Sequence, residues 1–315
     1  LFVEGEELLT IGDKAFYRCT ALKSIKLPER TLSLGENCFD GSGLSDIDFG
    51  GVRTIAANAF GNTKSLSVLT IPASVTEIGK YAFRSSAISE IKFAPRATGK
   101  EETPFEPLKL GESVFTYCAS LKKATFPDGL TSIPDSTFYN CAALTYVYVP
   151  KTVANGDDVV AGVSGFARAI GPRAFYHCES LSEIEFGLGG TGDLSFAERA
   201  FWGCTSLKTI DLPESLTYLG TYTFQNSGLT SVTIPAGVKH LSLGKTSSAA
   251  SGTHEVYTFA NCTDLVSVTF NEGLETMGRF VFSGCTSLES VKLPSSLYCI
   301  CLLYTSPSPR DRQKS

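Results

Sequence analysis

The sequence predicts an α/β solenoid, one strand-and-turn unit repeated and stacked on itself, and three observations predict it. Phenylalanine recurs eleven times in one phrase, at Phe16, Phe39, Phe60, Phe83, Phe115, Phe138, Phe175, Phe201, Phe224, Phe259 and Phe282. Five of the ten intervals between them are 23 residues. The phrase reads Ile/Leu-Gly, two residues, a small residue and Phe, a Cys or Ser three residues on, then Leu-x-x-Ile-x-Leu-Pro. A period of about 20–29 residues carrying an L-x-x-L-x-L core marks a leucine-rich solenoid. Residues 1–300 are accordingly read as one array of about eleven repeats.

Each element follows from the spacing inside one copy. From Ile11 the apolar positions are Ile11, Ala15, Phe16 and Cys19, which predicts a short helical turn with one buried face. From Leu22 the pattern becomes Leu22, Ile25, Leu27, and its alternation predicts a short strand with one face inward. Pro28 ends the strand, having no N–H for the next ladder bond. Gly12 is expected at a tight turn between the extended and helical pieces. A single unit cannot bury its apolar face. Stacked in parallel, the units place Phe on Phe, Leu on Leu and Ile on Ile, and each strand pairs with its neighbours. Each such buried side chain contributes on the order of 1.5–3 kcal/mol.

The phrases LTSIPDSTFYNCAALTYVYVP (residues 130–150) and LTYLGTYTFQNSGLTSVTIP (residues 216–235) resemble the BspA-type leucine-rich repeat family, and the resemblance covers residues 10–300. It implies a right-handed curved solenoid, with a parallel sheet on one face and short helical turns on the other. It also implies a surface-exposed or secreted protein that mediates adhesion or protein binding.

Composition excludes other classes. Apolar content is that of a globular core, and no run approaches the roughly 18 apolar residues of a membrane helix. The net charge is −5; the last fifteen residues carry three basic side chains and one acidic, so the repeat body alone is −7. An acidic body without basic clusters argues against nucleic acid and anionic membrane as partners, and with no long apolar run no direct membrane insertion is expected. The first residues resemble the end of a preceding repeat strand, so the array is expected to be truncated at its N-terminus. Residues 301–315 break the pattern and are expected to be a non-native or disordered tail, either translated adapter sequence or a natural Ser/Pro-rich extension.

The ten cysteines invite a disulfide or zinc reading. Seven of them, Cys19, Cys118, Cys141, Cys178, Cys204, Cys262 and Cys285, stand three residues after the repeat phenylalanine, where other copies have Ser42, Thr63, Ser86 and Ser227. A position that accepts thiol or hydroxyl predicts a buried column of small side chains rather than cross-links. No C-x-x-C pair accompanies the three histidines, so metal ligation lacks its spacing. Gly187-x-Gly189-x-x-Gly192 spells a dinucleotide fingerprint but precedes another repeat instead of a full helix. Asn261-Cys262-Thr263 spells a glycosylation site whose centre belongs to the buried column. His177 and Cys178 are adjacent, yet the pattern turns one outward and the other inward. No catalytic residue and no cofactor is expected.

Two surfaces are candidates for binding. Four junctions lengthen the period, placing added residues at 94–107, 151–168, 187–193 and 240–255, and insertions in a solenoid map to loops that often bind. The other candidate is the open face of the sheet, where the two residues flanking each central Ile point outward. Most copies offer small polar pairs such as Ser24/Lys26, Ser231/Thr233 and Ser267/Thr269. Two adjacent copies instead present Tyr146/Tyr148 and Glu183/Glu185, with Lys123/Thr125 and Thr209/Asp211 beside them. Tyrosine anchors interfaces because it offers large area at low entropic cost. The expected function is a non-catalytic binding scaffold for a protein or glycan ligand at the cell surface, centred on Tyr146, Tyr148, Glu183 and Glu185. The alternative is an intracellular assembly scaffold, or a regulatory repeat arm of a larger multidomain protein.

Overall fold

A computed structural model of the chain describes residues 9–95, 106–155, 170–189, 193–241 and 256–300. Every strand pairing among them is parallel, and the strands form two ladders. The broad ladder is built from the Leu-x-x-Ile-x-Leu segments. Its central sheet runs in the order Val68–Ile71, Glu90–Phe93, Lys123–Thr125, Tyr146–Val149, Glu183–Phe186. Ser24–Lys26 pairs with Asp46–Asp48 before it, and Ser231–Ile234, Ser267–Phe270 and Ser290–Lys292 form a third sheet after it. The narrow ladder comes from the residues preceding each repeat glycine, as in Thr10–Ile11, Ser33–Leu34, Thr54–Ile55 and Glu77–Ile78. Alternation holds as the spacing predicts: Ile25 is buried between exposed Ser24 and Lys26, and Val232 between exposed Ser231 and Thr233. The interior is one continuous cluster of these Ile, Leu, Val and Phe side chains.

The expected helical turns are not helices. Among the described residues the only helical piece is a 3-10 segment, Lys151–Asn155. The reason lies two residues before and two after most of the repeat phenylalanines. There the backbone enters the left-handed region, as at Lys14 and Arg18, Asn37 and Gly41, Asn58 and Asn62, or Ser136 and Asn140. Two left-handed residues four apart cannot propagate an α-helix. They produce consecutive turns whose N–H groups point alternately inward and sideways. Ala15, Tyr17 and Cys19 donate to the carbonyls three residues back, whereas Lys14, Phe16 and Arg18 donate to Glu36, Cys38 and Asp40 of the next coil at 2.7–2.8 Å. The turn side is therefore hydrogen-bonded from coil to coil much as the sheet side is.

Beneath it the eleven phenylalanines form one stack from Phe16 to Phe282, with successive ring centroids 5.0–5.6 Å apart and planes within 15°. The repeat glycines recur because coils approach closely. A Cβ on Gly79 would lie 2.7 Å from the Ala57 nitrogen, and one on Gly111 2.5 Å from the Lys80 nitrogen. None of Gly12, Gly35, Gly79, Gly111 and Gly171 has a positive φ, so close approach of coils, and not a turn requirement, is what the motif encodes.

The cysteine column is buried at Cys118, Cys141, Cys178, Cys204 and Cys262, half-buried at Cys285 and exposed at Cys19, and these thiols are free. Each interior thiol donates to the carbonyl of the preceding coil's phenylalanine: Cys118 to Phe83, Cys141 to Phe115, Cys178 to Phe138, Cys204 to Phe175 and Cys262 to Phe224, at 3.0–3.2 Å. The hydroxyls behave differently. Thr63 donates to its own coil's Phe60, Ser86 and Ser227 meet the next thiol, and the buried Ser42 hydroxyl has no partner. Burial raises the thiol pKa values, to about 11 at Cys118 and Cys262.

The broad ladder is interrupted at two places: Asp46–Asp48 and Val68–Ile71 are not paired, and further on one coil contributes no strand at all. Residues 207–213, where the broad ladder should receive its next strand, form none. The backbone groups of Thr209, Ile210, Asp211 and Leu212 make no hydrogen bond to other described residues. In the register of the phenylalanines, joining this segment to Glu183–Phe186 would set Asp211 directly opposite Glu185, and like charges so placed destabilise a strand pair. The turn side stays closed across the same junction. Phe175 and Phe201 are 5.0 Å apart, and Phe175 and His177 donate to Ala200 and Trp202 at 2.8 Å.

Candidate functional site

The sheet face brings the four expected residues together. Tyr146 pairs with Glu183 and Tyr148 with Glu185 across neighbouring strands, while Val147 and Ile184 between them turn inward. The contact that forms is diagonal: the Tyr146 hydroxyl donates to Glu185 Oε2 at 2.8 Å. Lys123, paired with Tyr146 from the other side, sets its Nζ 4.9 Å from the Tyr146 ring centroid. Both tyrosines are half-buried and both glutamates exposed. Desolvation, and next the hydrogen bond to Glu185, push the Tyr146 phenol up to about 12. The Tyr148 phenol is also raised, by burial first and then by Asp128 and Glu185. Both phenols thus remain protonated donors at neutral pH. The patch is a rigid set of rings and carboxylates whose first charge contacts are already made internally.

Of the expected flanking pairs, Lys123 and Thr125 are in register with the tyrosines. Thr209 and Asp211 are not, because the ladder opens between them and Glu183–Phe186. A groove of about 750 Å³ fills the opening, with residues 182–189 on one wall and 209–215 on the other. A smaller one of about 310 Å³ separates residues 209–214 from the strand Ser231–Ile234. Core side chains are uncovered here: Phe186 and Leu212 are only half-buried, and Ile184 and Ile210 are each 7% exposed against 0% for Ala124 and Val147. Spacing alone did not reveal this groove. Its signal was the pair of acidic residues at matching positions of adjacent copies.

A second aromatic group, not singled out by the sequence, lies on the turn side. Tyr139 and Tyr176 stack at 4.9 Å and Tyr176 and Trp202 at 4.6 Å, with Tyr117 edge-on to Tyr139. His177 sits beside Trp202 and Glu179, and Cys178 turns inward to Phe138, so the two do not meet. Gly187 and Gly189 precede the strand Leu194–Phe196, and Gly192 lies outside the described residues. Cys262, centre of the apparent glycosylation site, is buried. The insertions at 94–107, 151–168 and 240–255 and the tail 301–315 fall wholly or largely outside the described residues, as do residues 190–192 of the insertion at 187–193. Among the described residues no helix is long and apolar enough to cross a membrane, and no three His, Cys, Asp or Glu side chains form a metal-ligand group.

Parallel ladders stacked on a ring column define a leucine-rich repeat protein. The model of the BspA type leucine rich repeat region matches residues 3–109, 101–159, 165–247 and 252–301, and the chain belongs to that family. Among solved structures it is similar to a leucine-rich repeat protein from Eubacterium ventriosum, at 21% identity and a TM-score of 0.50, over 91% of this chain and 71% of that one. It also matches a leucine-rich repeat protein from Bacteroides ovatus (21% identity, TM-score 0.38, 93% and 78% covered). A third match is the pneumococcal vaccine antigen PcpA (18% identity, TM-score 0.45, 92% and 65% covered). No curated protein matches the chain.

Proposed function

We propose that the chain is a non-catalytic binding scaffold, a right-handed solenoid of eleven repeats that recognises a protein or glycan ligand at a cell surface. The observation that carries this reading is the in-register patch of Tyr146, Tyr148, Glu183 and Glu185. Rings locked by pairing and by the bond to Glu185 lose little entropy on binding, which suits an interface anchor. Carboxylates beside them favour a cationic or hydroxyl-rich ligand. The surface location rests on family membership. The test compares wild type with the Tyr146→Ser/Tyr148→Ser variant on a glycan microarray and a synthetic peptide array. The variant is expected to lose the retained ligands while its circular-dichroism spectrum is unchanged. Binding that survives the double change but disappears on deletion of residues 156–168 would move the site to that insertion.

A further inference from the structure

The break of the broad ladder at residues 207–213 combines three properties at one place. First, it exposes a free strand edge. Glu183 donates to Thr145 and Gly187 to Val149, so the alternation of a parallel ladder turns the N–H and C=O groups of Ile184 and Phe186 toward the groove. No described residue meets them there, and the facing backbone of Thr209–Leu212 is equally unengaged. Second, the groove has the volume of a ligand site, about 750 Å³ against a usual range of about 300–1,000 Å³. Its floor is apolar where Phe186 and Leu212 are uncovered. Third, its two outward rims both carry carboxylates, Glu183 and Glu185 on one side and Asp211 and Glu214 on the other. Lys208, the nearest cation in sequence, is engaged by Asp264 at 2.8 Å.

We propose that this groove accepts an extended cationic peptide as an added strand. The peptide backbone hydrogen-bonds Ile184 and Phe186, and its side chains alternate. Outward lysines or arginines stand between Glu185 and Asp211, converting a repulsive cross-strand pair into two attractive ones. Inward aliphatic side chains cover Phe186 and Leu212. A free strand edge also invites a second copy of the same chain, but a chain of net charge −5 does not complement an acidic groove. The inference rests on the binding-scaffold reading and not on the tyrosine patch.

The probe is a fluorescent Lys-Val-Lys-Val-Lys-Val-Lys peptide titrated into the full chain and followed by anisotropy, with amide hydrogen exchange read in parallel. The expected result is saturable binding, new protection of the Ile184 and Phe186 amides, and no binding of the Glu-for-Lys copy. Methylating alternate peptide nitrogens, or introducing Asp211→Lys, should weaken binding by about tenfold or more, the equivalent of about 1.4 kcal/mol. The Tyr146→Ser/Tyr148→Ser variant should still bind the probe even where array ligands are lost, which separates this site from the sheet-face patch. Equal affinity for the N-methylated peptide would reduce the interaction to charge alone and overturn the proposal. So would unchanged exchange at Ile184 and Phe186, or sedimentation of the free chain as a dimer with those amides already protected.

Discussion

Replacing Phe138 with alanine removes one rung from the middle of the ring stack, and the structure sets the size of the effect. The side chain is fully buried, with its ring centroid 5.4 Å from Phe115 and 5.3 Å from Phe175, and it meets Phe126 at 5.9 Å. The neighbouring coils are fixed by ladders on both sides, so they cannot close over the vacancy. The cost should reach the upper part of the usual Phe-to-Ala range, about 3–5 kcal/mol. Cys141→Ser in the same coil is the matched control. It exchanges the thiol bond to Phe115 for a hydroxyl, and the Phe115 carbonyl keeps its second donor, the Cys118 amide at 3.1 Å. That change should cost about 0.5–1.5 kcal/mol, the worth of one hydrogen bond. Urea unfolding followed by circular dichroism and tyrosine fluorescence gives both midpoints. A Cys141→Ser shift as large as the Phe138→Ala shift would show that the thiols, not the rings, organise the stack.

Two more outcomes follow from the packing. Gly79→Ala should destabilise by about 1–3 kcal/mol, because its Cβ meets the Ala57 backbone, whereas Gly12→Ala, facing open space, should be near neutral; equal effects in thermal melts would restore a turn requirement for the motif. Stability should also fall with alkali: the Cys118 thiol, at about 11 in the fold against the ordinary 9.0, favours folding fully below pH 9, and that contribution is lost as pH rises toward 11. Thermal midpoints measured from neutral pH upward should show the fall, flattened in Cys118→Ser; parallel curves for the two proteins would refute the assignment.

The strands were legible from the sequence because their information is local. Ile25 between Ser24 and Lys26 alternates whatever its neighbours do, and the period alone stacks Phe on Phe. The turn side was misread because apolar spacing around Phe16 fits a helical face equally well. What decides it is the left-handed pair at Lys14 and Arg18, signalled only by the Asn and Gly of other copies at those positions, such as Asn37, Gly41, Asn58 and Asn62. The four patch residues were legible because outward positions of adjacent copies meet at strand spacing. The groove was not, since it depends on a pair, Glu185 with Asp211, whose conflict exists only once the coils are set side by side.

A stack of repeats distributes its stability over the contacts between neighbours, so its behaviour under load depends on the weakest of them. Around residues 207–213 the coils are joined by the ring column, the turn-side bonds and the narrow ladder, while the broad ladder contributes nothing. Bending that opens the sheet face there stretches no strand bond, whereas the same bending between Val68–Ile71 and Glu183–Phe186 must break several. The array thus has a seam at Thr209–Leu212, held by its spine of phenylalanine, where unfolding from either end has a natural place to pause.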